Sequence, residues 1–193
     1  MARIVPNDVM RIGIDISQIA HEKTGVAQYV RRLVSAIISK DSKNEYVLFG
    51  ASLRKLQVFS DFLEELGGKS DRLSLVSVPI PPTLLAQLWN RWHIVPIEVF
   101  IGSVDVFWSS DWTQPPLSRA KGITTIHDVS FLRFPESFVS RIIDEQNRRL
   151  KWAKAECRLF LCDSVATMED AHTYLKLPKD VLQVVYPGFS QSL

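Results

Sequence analysis

The chain has 193 residues, enough to bury the core of one large domain, and its 46% hydrophobic and 23% charged residues are typical of a globular protein. Its 23 basic and 21 acidic residues leave a net charge of +2. This balance lacks the basic stripe of nucleic-acid-binding proteins, so we expect no nucleic-acid partner.

The first part of the chain alternates strand-like and helix-like segments. Apolar residues recur at three- and four-residue spacing from Val26 to Ile38, which predicts an amphipathic helix with Thr24 as its N-cap. A second helix is predicted over residues 53–66. Short runs of apolar, β-branched residues predict three strands, at residues 11–15, 46–50 and 73–78.

Prolines follow the third strand, and a helix is predicted over residues 83–95. At 100° per residue, Trp89 and Trp92 share a face with two leucines, which predicts that both tryptophans pack into the core. Arg91 and His93 should point elsewhere. Tryptophan beside cations is also typical of surfaces that rest on anionic headgroups, so the alternative is peripheral contact with a membrane.

The second part of the chain continues the alternation. Helices are predicted over residues 136–153 and from Ser164 to the residue before Pro178. Continuously apolar strands joined by helical crossovers predict an α/β fold, a doubly wound Rossmann-like parallel sheet with helices on both faces. The remaining strands are predicted at residues 104–108, 122–126, 158–162 and 183–185.

Two features of the sequence bear on the compartment. The amino terminus has no apolar stretch of signal-peptide length, and no run reaches the ~18 apolar residues of a membrane span. Cys157 and Cys162 form no CxxC pair, so we expect buried thiols in a reducing compartment rather than a metal site. We therefore expect a cytoplasmic protein, with the inner face of the membrane as the alternative location.

The candidate site residues follow the predicted strands, where ligands gather in such sheets. Asp15 ends the first strand. Thr24 and Gly25 precede the first helix, whose free N–H groups and positive dipole end suit a phosphate. A tight turn that needs a glycine is the alternative. No GxGxxG or GxxxxGK[ST] motif is present, so neither a dinucleotide-binding turn nor a P-loop is expected.

Two further groups follow later strands. Ser110, Asp111 and Trp112 belong to a polar and aromatic segment that suits a sugar site, or a loop that covers the core. His127 and Asp128 follow the fifth strand. A histidine there can hydrogen-bond a ligand hydroxyl, and the neighbouring carboxylate can orient it. The alternative is a pair of residues that caps the strand end.

Three groups of motifs extend over residues 11–189. The first is RIGID at 11–15 with TGV at 24–26; the second is VDVF at 104–107, PP at 115–116, TIHD at 125–128 and FLRFPE at 131–136; the third is CDS at 162–164, LP at 177–178 and VVYPG at 184–188. Together they resemble the amino-terminal domain of a family 4 glycosyltransferase of the GT-B fold. The second and third groups carry most of the specificity.

The resemblance implies a retaining enzyme that transfers a sugar from a nucleotide diphosphate donor to a hydroxyl of a glycan or lipid-linked acceptor, without a metal or other cofactor. The amino-terminal domain would hold most of the acceptor, and a carboxyl-terminal domain would hold the nucleotide. Thr24 and Gly25 would approach the donor diphosphate. His127 would face the transferred sugar or the acceptor in the cleft, with Asp128 supporting that wall, and both would be catalytic residues. The resemblance places four residues in the acceptor cleft: Asp15, Ser110, Asp111 and Trp112.

The sequence also departs from the family pattern. Trp108 stands where relatives often have a histidine, and Asp163 replaces a commoner valine, so the acceptor is not identified. The two glutamates of the family's donor domain have no counterpart here. We therefore expect a flexible tail at 1–10, the Rossmann-like domain at 11–188 and the start of a link to an absent donor domain at 189–193. We expect the isolated chain to be inactive. The alternative is a non-catalytic carbohydrate-binding or interaction module.

Overall fold

The computed structural model describes residues 9–188. In this part of the chain seven strands form one parallel sheet in the order β3-β2-β1-β4-β5-β6-β7. The strands are β1 (Arg11–Asp15), β2 (Glu45–Ala51), β3 (Leu73–Val78), β4 (Val106–Ser109), β5 (Lys121–Ile126), β6 (Cys157–Cys162) and β7 (Leu182–Val184). The predicted Rossmann-like fold and all seven predicted strands are confirmed. Residues 1–8 of the predicted tail at 1–10 and the predicted link at 189–193 lie outside the described residues.

Seven α-helical segments accompany the sheet in the described residues. They are α1 (Gly25–Lys40), α2 (Leu56–Glu65), α3 (Pro82–Leu85), α4 (Glu98–Ile101), α5 (Ser130–Arg133), α6 (Ser140–Glu156) and α7 (Val165–Leu175). Thr24 caps α1 as predicted, because its hydroxyl accepts the N–H of Ala27 at 3.2 Å. Short 3₁₀ turns occupy Ser17–Ala20, Pro135–Ser137 and Lys179–Val181.

Side chains of β2 show why the strands are continuously apolar. Tyr46 and Leu48 join the core on the side of α1 and α2. Val47 and Phe49 pack on the opposite side, with Trp89. Successive side chains of a strand point to opposite faces, so a sheet with helices on both faces buries every residue along its length.

The sheet has a topological switch point between β1 and β4. The chain runs outward from β1 to β2 and β3, and then returns to place β4 on the other side of β1, with Ile14 opposite Trp108. The loops after β1 and β4 therefore leave the sheet in opposite directions. A crevice opens between them at the carboxyl ends of the strands, which is where open α/β sheets bind ligands.

The segment 83–95 differs from the predicted single helix. After α3, a π-helix runs over Ala86–Arg91, and its i→i+5 hydrogen bonds put more residues in each turn. Trp89 is fully buried as predicted, but Trp92 is 53% exposed, so its predicted core position is wrong. The wider turn places the two indoles on different faces. His93 has a φ of 53°, which ends the helix.

The helix predicted at 136–153 begins later and ends later, as α6. Residues before it form α5 and a 3₁₀ turn at Pro135–Ser137, because Pro135 interrupts helical hydrogen bonding. Cys157 and Cys162 are buried free thiols, as expected. Within residues 9–188 no helix is long and apolar enough to cross a membrane.

Candidate functional site

The parallel sheet brings the sequence candidates to one edge. Asp15 ends β1, Ser110 follows β4, and His127 follows β5. Asp163 follows β6, which pairs with β5. This edge of the sheet therefore collects residues that are up to 148 positions apart in the sequence, and all of them lie at carboxyl ends of strands.

His127 is held by a carboxylate from the next strand. Its Nδ1 lies 2.6 Å from Oδ2 of Asp163, and the two side chains are 17% and 22% exposed. The imidazole and the Tyr29 ring form a T-shaped contact, with centroids 4.9 Å apart and planes at 89°. Thr167 Oγ1 also donates to the carbonyl of His127 at 3.2 Å. Asp163 and Tyr29 thus hold the ring, and Thr167 holds the backbone of the same residue.

The predicted pairing of His127 with Asp128 is wrong in its geometry. The exposed Asp128 carboxylate accepts the backbone N–H of Ser130 at 2.8 Å and caps the turn into α5. Sequence neighbours at a strand end point in different directions, whereas Asp163 on the adjacent strand faces the imidazole. Asp163 stood out in the sequence because it differs from the pattern that the resemblance implies, but its partner was not visible there.

The pair defines what the histidine can do. Nδ1–H donates to the Asp163 carboxylate, which fixes the tautomer and leaves Nε2 as the nitrogen for a ligand. Burial raises the pKa of the adjacent Tyr29 phenol to about 12, so that ring remains neutral beside the imidazole. The arrangement suits hydrogen bonding to a ligand hydroxyl.

Gly25 begins α1 in a position that the fold does not require to be glycine. A Cβ built there meets nothing within 4 Å, and the residue has no positive φ. The alternative of a tight turn that needs glycine is therefore wrong. Within the described chain, the N–H groups of Gly25 and Val26 have no hydrogen-bond acceptor. They remain open to an anion at the positive end of a 16-residue helix.

Tyr29 connects this helix end with His127. Its side chain contacts the imidazole, and it also lines a groove of about 320 Å³ beside Gly25. Arg32 lines the same groove and donates from a guanidinium nitrogen to the Gly188 carbonyl at 3.2 Å. Tyr29 therefore links the groove beside the open helix terminus to the paired histidine.

A second cavity, of about 340 Å³, lies at the switch point. Its polar lining comes from both sides of the crevice, with Ser17 and His21 after β1 and Ser110, Trp112 and Thr113 after β4. The Ser110 hydroxyl accepts the N–H of Thr113 at 3.2 Å and so shapes the loop. Neutral hydroxyls beside an indole can bind a sugar through hydrogen bonds and ring stacking.

Asp15 and Asp111 do not belong to the lining of this cavity. Asp15 is 3% exposed; its Oδ1 accepts the N–H of Ser17 at 2.8 Å, and its Oδ2 has no hydrogen-bond partner in the described chain. Burial raises the pKa of Asp15, and the nearby Asp111 charge acts in the same direction. Asp15 therefore supports the cavity through Ser17.

Arg149 is a buried residue that the sequence analysis missed. It is 3% exposed in α6, and its guanidinium donates to the carbonyls of Ser110 at 3.1 Å and Thr125 at 3.0 Å. The same group donates to the Thr124 hydroxyl at 2.5 Å. Burial lowers the Arg149 pKa, and the Asp111 charge opposes that change. Arg149 thus ties the ends of β4 and β5 together below the site. One of three arginines in an amphipathic helix carries no sequence signal of this role.

The buried Asp15 predicts a dependence of stability on pH. The folded state raises the pKa above the ordinary value of 3.8, so folded protein binds the proton more tightly than unfolded protein. This contribution to the free energy of unfolding is present below pH 3.8 and is lost as pH rises through the folded pKa. Asp15→Asn keeps an acceptor for Ser17 and removes the titration.

We expect Asp15→Asn to gain stability relative to the native protein as pH increases from about 4 to 7. Urea unfolding of both proteins across this range measures the difference. A difference that stays constant with pH would contradict the prediction.

Comparison with protein-family models and with curated proteins finds no match to this sequence.

Proposed function

We propose that this chain is the acceptor-side, amino-terminal half of a retaining GT-B glycosyltransferase of family 4. It would take part in transfer of a sugar from a nucleotide diphosphate donor to a hydroxyl of a glycan or lipid-linked acceptor. The observation that carries the proposal is the convergence on Tyr29 of an open helix terminus at Gly25 and the His127–Asp163 pair. A sugar diphosphate needs an anion site for its diphosphate and a hydrogen-bonding side chain for its sugar hydroxyls. The open helix terminus offers the first, and His127 offers the second.

Each part of the crevice has a role in this proposal. The N–H groups of Gly25 and Val26 bind the donor diphosphate, where the dipole of α1 stabilises the negative charge that grows as this group leaves. Nε2 of His127 binds a hydroxyl of the transferred sugar, and Asp163 acts as a positioning residue. The acceptor occupies the cavity of about 340 Å³ at the switch point. A second domain holds the nucleotide.

The His127 prediction tests catalysis. In an enzyme that joins this chain to a donor-binding domain, His127→Ala should lower kcat/KM by about 1–3 kcal/mol of transition-state stabilisation, the range for a lost hydrogen bond to a bound group. His172→Ala is the matched control, because in the described part of the chain that imidazole hydrogen-bonds the Leu177 carbonyl alone, at 2.7 Å, away from the crevice. Steady-state kinetics of the three proteins measure the effect.

The 193-residue chain without a donor domain should neither hydrolyse nor transfer from a nucleotide sugar, since these residues supply half of the cleft. Turnover by the pure chain above the rate of its His127→Ala variant would contradict the proposal that a second domain must bind the nucleotide. Sugar binding with no transfer in the joined protein would instead identify a non-catalytic carbohydrate-binding module.

The Gly25 prediction separates ligand binding from folding. Gly25→Val should leave the free energy of unfolding within about 0.5 kcal/mol of native, because the added side chain enters open space. In the joined enzyme it should raise the donor KM about tenfold, because the side chain obstructs a phosphate at the helix end. Gly25→Ala should give a smaller effect in the same direction. Reduced stability with unchanged donor kinetics would favour a purely structural glycine.

A further inference from the structure

A third cavity, of about 500 Å³, adjoins the acceptor side of the crevice. It lies between the α3–π-helix segment and the first turns of α6. Pro82 and Trp112 line both this cavity and the one of about 340 Å³ at the switch point. The Trp112 indole therefore stands at the border between two adjoining spaces, and one ligand can extend from one into the other.

The two spaces differ in charge. The cavity at the switch point is lined by neutral polar and apolar groups, together with His21. The adjoining cavity is lined by three arginines and a single carboxylate, that of Glu145. The arginines come from both walls: Arg91 ends the π-helix, and Arg141 and Arg148 belong to α6.

The carboxylate does not neutralise this cluster. Glu145 Oε1 accepts the Asn90 side-chain amide at 2.5 Å, and Oε2 lies 3.4 Å from a guanidinium nitrogen of Arg148. Within residues 9–188, Arg91 and Arg141 contact no carboxylate and make no hydrogen bond. Two exposed guanidinium groups on opposite walls thus remain without a partner, and guanidinium groups bind phosphate oxygens through paired N–H donors.

We infer that the acceptor is a phosphorylated sugar, with its phosphate between Arg91 and Arg141 and its sugar ring against Trp112. This inference rests on the proposed function and specifies the acceptor class. The reactive hydroxyl then lies in the neutral cavity at the switch point, next to Ser17 and Ser110. A soluble sugar phosphate and a lipid-linked sugar phosphate present the same chemistry to this site.

The test uses the indole N–H signal of Trp112 in ¹H–¹⁵N NMR spectra of the 193-residue chain, which has five tryptophans. Trp112→Phe assigns the signal. The probes are glucose 1-phosphate, N-acetylglucosamine 1-phosphate, free glucose and inorganic phosphate. A sugar 1-phosphate should shift the signal at concentrations where glucose and inorganic phosphate do not. Arg91→Gln and Arg141→Gln should each weaken this binding about tenfold, as expected for a charge-assisted hydrogen bond.

Arg158→Gln is the matched control, because it removes the same charge from an exposed position on β6 outside the cavity. It should leave the affinity unchanged. Equal weakening by Arg158→Gln, equal shifts with free glucose or inorganic phosphate, or no shift with either sugar phosphate would overturn the inference.

Binding to vesicles distinguishes three cases: a soluble sugar phosphate, a lipid-linked sugar phosphate and a general membrane contact. Tighter binding to neutral vesicles that carry polyprenyl-phosphate glucose than to glucose 1-phosphate would assign the lipid-linked form. Binding to anionic phosphatidylglycerol vesicles, lost in both glutamine variants and without any response to sugar phosphates, would show a membrane-contact surface and overturn the inference. None of these measurements needs a donor or turnover. A negative result would therefore overturn the inference about the acceptor but not the transferase proposal, which the His127→Ala kinetics test separately.

Discussion

Arg149→Met should lower the free energy of unfolding by about 3–5 kcal/mol, the range for removal of one partner from a buried charged network. Methionine fills much of the space of the arginine stem but donates no hydrogen bond. The Thr125 carbonyl would lose a donor at 3.0 Å, and the Ser110 carbonyl would lose one at 3.1 Å and keep the weaker bond from the Thr124 hydroxyl at 3.4 Å. Each buried acceptor left unsatisfied costs about 1–3 kcal/mol. Asp111 would also lose the positive charge that faces it.

Arg148→Met provides the matched control one residue earlier in α6. Arg148 is exposed and lies 3.4 Å from Glu145 at the surface, so its replacement should change stability by less than about 1 kcal/mol. Urea unfolding of the three proteins gives the comparison. Equal stabilities of the two variants would show that Arg149 does not hold the ends of β4 and β5 together.

Gly122→Val should destabilise the protein by about 3 kcal/mol, at the upper end of the cost of overpacking. A Cβ at Gly122 would lie 2.7 Å from the backbone oxygen of Glu156 and 3.0 Å from Cα of Cys157. These are backbone atoms at the junction of α6 and β6, so a rotamer change cannot relieve the contact. The register between β5 and β6 also shifts between Gly122 and Ile123, where the two strands approach closely.

Gly25→Val introduces the same side chain where a Cβ meets no atom within 4 Å. The difference in thermal or urea stability between the two variants should therefore approach the full cost of overpacking at Gly122. A Gly122→Val protein as stable as Gly25→Val would contradict the close approach of β5 and β6. The same pair of variants also separates a glycine required by packing from one that the fold leaves free.

Local patterns predicted most of the fold. The spacing of apolar residues gave the extent of α1, and the oxygen of Thr24 is placed to cap it. Continuous apolar runs indicated strands buried on both faces, as β2 confirms with Leu48 and Phe49 on opposite sides. The helix at 83–95 was predicted less well. A period of 3.6 residues does not describe a π-helix, and so the exposed Trp92 was placed in the core.

The sequence predicted where the candidate residues lie, but not which of them contact each other. Residues after strands were expected at one edge of the sheet, and the parallel order places Asp15, Ser110 and His127 there. The partner of His127 was expected beside it in the sequence, at Asp128. In the structure the partner is Asp163, which lies 36 positions away.

The sequence by itself determined the strand and helix pattern, the parallel architecture and the edge at which the candidate residues gather. These properties follow from hydrophobic periodicity, capping and the connection of each strand to the next, and all of them are local. Only the tertiary structure decided that Asp163 orients His127, that Arg149 joins β4 to β5, and that Gly25 is free of packing constraints. The physical reason is that hydrogen bonds and steric contacts between distant residues depend on the strand order and on the direction of each side chain, which no local pattern contains.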